Sequence, residues 1–410
     1  MGTIDSGDTA WVLISAALVL FMTPGLALFY GGMDRSRNVL NMLMMNFWCL
    51  LTVPVAWVVI GYSIAAGDGK AGWFGGFDQV MLKDTNLAHS PGTLLTVAFL
   101  AMFAVITPAL ISGAVAGRMK FAAWAIFAPV WMLLVFCPVF KWVYGGWLGV
   151  RGSLDFAGGT AIHVNAGIAA LVAALLIGKR TGWPKEGHPP HSMPLVMIGT
   201  GILWFGWFGF NAGSALGANA QAVQAFMNTF LAASAAGLAW CLVERVRDGH
   251  FTNLGAASGV VAGLVAITPA CGYVTSAASI FIGVAAGVVC CFAVTVKFRA
   301  GFDDALDVVG VHFVGGLIGS LLIGLWADPE YFGSKNLAGL FNGGGWRLLG
   351  EQAIANGVTI VYSGVMTLLI LLVLKHTVGI RVSTEIEVEG LDSSQHAESA
   401  YSTSDLGVTR

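Results

Sequence analysis

Of 410 residues, 57% are hydrophobic and only 10% charged, against about 25% charged in ordinary soluble domains. Such a chain cannot clothe a water-exposed surface, which excludes a soluble globular fold. The net charge of −2 arises from basic residues spread over many loops, with no patch of the kind that holds nucleic acid.

A hydrocarbon core about 30 Å thick needs roughly 20 helical residues. Eleven apolar runs meet that need, at 10–31, 42–64, 93–116, 121–143, 155–177, 194–214, 223–243, 253–269, 274–296, 304–326 and 353–374. The fold class is therefore all-α and polytopic, with eleven transmembrane helices. No basic residue precedes the first run, which is also too long for a signal h-region, so it is read as the first span. Cations in short loops stay on the cytoplasmic side. One alternate set of loops holds Arg35, Arg37, Arg118, Lys120, Lys179, Arg180, Lys185, Arg245, Arg247, Lys297, Arg299, Lys375 and Arg381. The other holds Lys70, Lys83, Lys141, Arg151, Lys335 and Arg347, diluted by Asp68, Asp78, Asp84, Asp328, Glu330 and Glu351. This bias predicts an outside N-terminus and a cytoplasmic C-terminus. The six cysteines have no metal-ligand spacing and read as thiols packed like small hydrophobes. Most of the 55 glycines read as close-packing positions between helices.

Two spans carry a histidine eight residues after an aspartate: Asp155 to His163 in DFAGGTAIH and Asp304 to His312 in DALDVVGVH. Ionisable groups at bilayer depth cost roughly 2.5–3.5 kcal/mol on insertion scales and mark ion or proton paths. Five helices separate the copies, so the second is upside down, as in an inverted five-helix repeat followed by one extra helix. At 1.5 Å per residue each histidine lies about 12 Å inside the helix start that its aspartate marks. In a core of about 30 Å their heights then differ by about 6 Å, within reach of two facing imidazoles. A lone histidine here would equally suit a packing role, and Asp155 can cap its helix while adding negative potential toward cations. By the same arithmetic Ser214 lies at the outer mouth, Phe210 one turn below it, and Phe103 about 15 Å deep on the third span. An isolated phenylalanine at such a height would ordinarily face lipid.

Six stretches occur together in order: GLALFYGG (25–32), ITPALISGAVAGR (106–118), DFAGGTAIHVNAG (155–167), GWFGFNAGS (206–214), ITPACGYV (267–274) and DVVGVHFVGG (307–316). Together they resemble the ammonium transporter (Amt/Mep/Rh) family over almost the whole chain. The segment EGLDSSQHAESAY (389–401) resembles the cytoplasmic tail of its bacterial Amt branch. The resemblance implies a homotrimer in the bacterial inner membrane with one pore per subunit. It implies twin pore histidines at His163 and His312, a stacked gate at Phe103 and Phe210, an outer ammonium site at Ser214, its nearby acid at Asp155, and a pore-lining Trp207. It divides the chain into a membrane domain, 1–381, and a regulatory tail, 382–410, on the face where relatives bind a trimeric PII signalling protein. Where relatives have Trp followed by three glycines, this chain reads Lys141-Trp142-Val143-Tyr144-Gly145-Gly146-Trp147. Tyr144, Trp142 or Trp147 is then the aromatic wall, and Lys141 opposes cation recruitment.

Ammonium is a compact cation with four N–H donors, so a selective site needs an acceptor oxygen, an aromatic face and negative potential. Below such a site an apolar lumen makes passage of a full charge expensive, which favours separating proton from ammonia, and neutral imidazoles can pass the proton. The expected function is ammonium uptake without enzymatic chemistry or cofactor, with ammonium and ammonia, membrane lipid, sister subunits and a PII-type protein as partners. The alternatives are an ammonium sensor signalling through the tail, a neutral gas channel of the Rh type, and a bis-histidine haem protein. Tail acids Glu385, Glu387, Glu389, Asp392 and Glu398 are expected near Arg118, Lys120, Lys179 and Arg180, with Leu391 and Tyr401 supplying packing.

Overall fold

Apolar composition and length again select helices, because a helix satisfies its own backbone inside lipid. The computed structural model describes residues 5–69, 72–83, 85, 90–331 and 337–401. The start 1–4, the loop charges Lys70, Asp84 and Lys335, and tail residues 402–410 lie outside the described residues. The helices are α1 Ser6–Met33, α2 Val39–Ala66, α3 Gly92–Val115, α4 Phe121–Arg151, α5 Gly159–Ile177, α6 Met193–Gly213, α7 Ala220–Arg247, α8 Asn253–Ile267, α9 Ser276–Ala300, α10 Val309–Trp326 and α11 Arg347–Thr377. Ten of these are long and apolar enough to cross a membrane. The exception is α8, whose 15 residues rise about 22 Å. Pro269 has no N–H to extend the ladder, and the remaining depth is filled by a buried turn containing Thr268, Ala270 and Cys271. Among the described residues there is no strand, only an isolated antiparallel bridge between Met119 and Arg381. All six cysteines are free thiols, five of them buried.

The most extensive helix pair is α1 with α6, while α7 packs on both α8 and α9. Backbones approach closely at α1 and α6: a Cβ on Gly199 would stand 2.4 Å from the Phe29 nitrogen.

Spans five and ten differ from expectation at their starts. Regular helix begins at Gly159 and Val309, not at the aspartates, because Gly158 (φ 119°) and Asp307 (φ 63°) take left-handed backbone just before it. Each histidine therefore sits within the opening π-helical turns, Gly159–Val164 and Val309–Phe313. Each aspartate folds back onto that opening. Asp155 accepts from the N–H groups of Gly158, Gly159, Thr160 and Ala161 at 2.7–3.0 Å. Asp304 accepts from Val308 at 3.1 Å and Val309 at 2.7 Å. The two starts lie at opposite ends of the bundle, Asp155 near Tyr144 and Tyr273, Asp304 beside Lys297 and the basic loops. That is the inversion the repeated motif predicts.

Beyond α11 the chain turns at Gly379 (φ 75°). It then pairs with the loop after α3, where Lys120 N–H donates to the Ile380 carbonyl and Val382 N–H to the Arg118 carbonyl. Two short helices, α12 Thr384–Glu389 and α13 Leu391–His396, follow. Leu391 is fully buried, and its N–H donates to Asn38 Oδ1 at 3.0 Å. Asp392 accepts from Asn41 N–H at 2.8 Å, and the Tyr401 hydroxyl meets His191 at 2.8 Å. The expected pairing of tail acids with Arg118, Lys120, Lys179 and Arg180 is corrected: Glu387 instead binds Arg381 and the Thr181 N–H. Two of those cations are already engaged inside the membrane domain. Arg118, fully buried, donates to the carbonyls of Ala116, Gly178 and Asp303, and Arg180 pairs with the Asp303 carboxylate at 2.8 Å. In the same loop cluster, burial together with Arg180 and Arg35 pushes His188 down to about 4, so a neutral ring accepts from Arg35 at Nδ1.

Burying a leucine is worth roughly 1.5–3 kcal/mol, so Leu391→Asp is expected to release the docked segment. Limited proteolysis of solubilised protein should then cut residues 382–401 at the rate of an unstructured peptide, whereas protection equal to wild type would show that Leu391 does not hold the tail.

Candidate transport path

A wide mouth of about 440 Å³ opens at the end of the bundle opposite the tail. Its wall includes Tyr62, Phe99, Phe103, Phe140, Tyr144, Phe156 and Ser214. Ser214 caps the C-terminal end of α6 and donates its hydroxyl to the Phe210 carbonyl at 2.8 Å, leaving the oxygen's lone pairs as acceptors. Tyr144 caps the first segment of α4 where the helix breaks after Val143, and its ring lies 4.6 Å from Phe140. Of the three aromatics left open by the sequence, Tyr144 lines the mouth. Trp142 and Trp147 instead cluster with Trp73, the Trp142 indole donating to the Trp73 carbonyl at 2.7 Å. Asp155 lies beneath the mouth, 7% exposed, with both oxygens occupied by backbone N–H groups.

Phe103 forms the floor and stacks on Phe210 with centroids 4.3 Å apart and planes 24° apart. Beyond Phe210 lies an enclosed cavity of about 10 Å³, room for the centre of one water-sized molecule, walled by Met22, Leu26, Ile106 and Leu203 beside Trp207, His163 and His312. A second cavity of the same size continues past His312 toward Tyr30, Ser258 and Asp307. Mouth, ring pair and two cavities follow one another toward the tail end.

The imidazoles meet edge to edge, His163 Nδ1 and His312 Nδ1 standing 3.3 Å apart, and both residues are at most 3% exposed. One Nδ1 must carry the shared proton, so the donor ring presents a bare Nε2 and the acceptor ring an Nε2–H. His163 Nε2 is buried without a protein partner. A separation this short leaves no place for a porphyrin between the two rings, which removes the bis-histidine haem alternative. Trp207 stacks on His163 at 5.4 Å. Its indole N–H is held by Thr268 Oγ1 at 2.8 Å, and Thr268 also contacts Asn211 Oδ1 at 3.2 Å.

Sequence reasoning missed this Thr268–Asn211 support, which joins α6 to the end of α8 and has no periodic signal. It also missed Gly167 and Gly316, although each lies four residues after a histidine. A Cβ on Gly316 would fall 2.8 Å from His163 Cβ, and one on Gly167 would fall 2.5 Å from Phe313 Cα. These glycines let α5 and α10 cross where the histidines meet, and the repeated H-x-x-x-G was a legible sign of it. Gly167→Val is expected to destabilise by about 1–3 kcal/mol or more through overpacking, read as a lower Tm; a wild-type melting curve would mean that the helices do not approach this closely.

Among the described residues, a mouth, a phenylalanine pair and two small cavities that share His312 are therefore aligned through a bundle of membrane-length apolar helices. The chain belongs to the Ammonium Transporter Family, whose model matches residues 10–401. It is 51% identical to the ammonium transporter of Mycobacterium tuberculosis (strain H37Rv) over 98% of this chain and 91% of that one. The crystal structure of Candida albicans Mep2 matches with a TM-score of 0.86 at 32% identity, over 93% and 87% of the two chains. A structure titled Sensor Amt Protein matches at 0.88 with 28% identity, over 95% and 98%.

Proposed function

We propose that the protein carries ammonium across the cell membrane, from an outward-facing mouth to a cytoplasmic tail face. In this reading ammonium is recruited at the mouth by the Ser214 oxygen, the Tyr144 face and the potential of Asp155. It loses its proton near Phe103 and Phe210, because the cavities beyond are too small for a hydration shell and the first of them is too apolar for a bare cation. Ammonia then passes Trp207, His163 and His312 while the proton moves along the imidazoles or waters. The single observation that carries this is the 3.3 Å contact between the two Nδ1 atoms, with His163 Nε2 unpartnered in an otherwise apolar cavity. A neutral histidine pair in that state accepts at one end and donates at the other. Nothing in the reading requires enzymatic chemistry.

In this reading the assembly is a trimer with one pore per subunit, and the docked tail offers a surface for a PII-type regulator. A second reading, ammonium sensing through the tail, is favoured by the match to the Sensor Amt structure and by the close seating of residues 382–401. An ammonium pulse given to proteoliposomes separates the two. A current or internal pH change that saturates with ammonium supports transport, whereas saturable binding without flux supports sensing.

A further inference from the structure

Among the described residues lining the mouth, one is charged, and it carries the sign of the substrate. Lys141 lies in the last turn of the first segment of α4, one turn before Tyr144, and lines the same cavity. Its Nζ donates to the Gly67 carbonyl at 2.8 Å, and no described carboxylate lies within ion-pairing distance of it. The acid beneath the mouth offers no direct partner to either cation, since four backbone N–H groups occupy the Asp155 oxygens.

We propose that Lys141 sets the affinity of the mouth for ammonium, acting as a tethered cation that competes with the substrate for negative potential and for the Gly67 carbonyl. This rests on the transport reading above. A lysine head is an alkylammonium, so an acceptor that suits it also suits ammonium. Two unit charges roughly 3–6 Å apart in a water-filled cavity repel by an amount that corresponds to about a three- to tenfold change in binding. That repulsion weakens as the Debye length falls below the width of the mouth. With Lys141 in place the protein therefore half-saturates at a higher ammonium concentration, and added salt narrows the difference.

The test compares Lys141→Gln, which removes the charge and keeps an N–H donor for Gly67, with Lys141→Arg, which keeps both. Ammonium transport by reconstituted full-length protein is measured against concentration at about 20 mM and about 200 mM of an impermeant salt. The expected result is a half-saturating concentration about three- to tenfold lower in Lys141→Gln, with an unchanged maximal rate, a smaller gap at high salt and wild-type values for Lys141→Arg. Unchanged or poorer half-saturation in Lys141→Gln would overturn the proposal, as would an equal shift in Lys141→Arg, which would assign the effect to anchoring of the loop at Gly67. Absence of ammonium flux in the wild type would overturn the transport reading and this inference together, whereas flux with an insensitive Lys141→Gln would overturn this inference alone.

Discussion

Replacing His163 or His312 with alanine is expected to abolish ammonium-specific charge movement, or to let other cations through. Among the described residues, the rings are the only ionisable side chains lining the cavity just beyond the phenylalanine floor. Each Nδ1 is the other's partner, so one deletion leaves the remaining ring with no neighbour to receive a proton. The lost volume also widens a cavity that holds about one water-sized molecule, and a wider, wetter passage lowers the penalty for a hydrated cation. The current evoked by ammonium in proteoliposomes should fall at least about tenfold, the loss expected when a barrier rises by about 1.4 kcal/mol, or potassium should begin to carry current. Wild-type current and selectivity in both variants would eliminate the histidines as a relay.

Removing Asp155 is expected to be as severe for a different reason. Asp155→Ala strands four buried N–H donors at the start of α5, each unsatisfied group costing about 1–3 kcal/mol, and the turn that positions His163 begins only at Gly159. Uptake should vanish and the protein should melt earlier. Asn retains one carbonyl oxygen, enough for the Gly158 and Gly159 pair, but directs its NH₂ at the N–H groups of Thr160 and Ala161 that Oδ2 now serves. Asp155→Asn is therefore expected to remain folded with reduced stability and reduced transport. An Asp155→Ala protein with normal Tm and normal uptake would show that the carboxylate neither builds the helix start nor attracts the cation.

Tail and mouth illustrate different limits of legibility. Packing by Leu391 and Tyr401 was expected because exposed ion pairs hold a tail only weakly; Leu391 is completely buried, whereas Tyr401 stays exposed and meets His191 through its hydroxyl. The tail's polar partners were misread: Arg118 and Arg180 looked available as loop cations, yet their donors are spent on carbonyls and on Asp303. Charge complementarity along a sequence does not reveal which cations folding has already satisfied. At the mouth, three aromatics within six residues were equivalent by type, and only the break of α4 after Val143 turns Tyr144 inward and sends Trp142 and Trp147 to Trp73.

What the chain's residues determined unaided is the membrane class, the approximate places of the apolar spans and the inverted Asp–His pair. These follow from hydropathy, helix rise and the cost of charge in lipid, which are local or one-dimensional quantities. Tertiary structure alone decided that the helix starts recede to Gly159 and Val309, that Asp155 spends its charge on four backbone groups, and that the imidazoles stand 3.3 Å apart. Those outcomes depend on left-handed backbone at Gly158 and Asp307 and on glycines that permit two helices to cross at contact distance. Contact between residues 149 positions apart is set by how the helices pack, and no pattern within either segment encodes that distance.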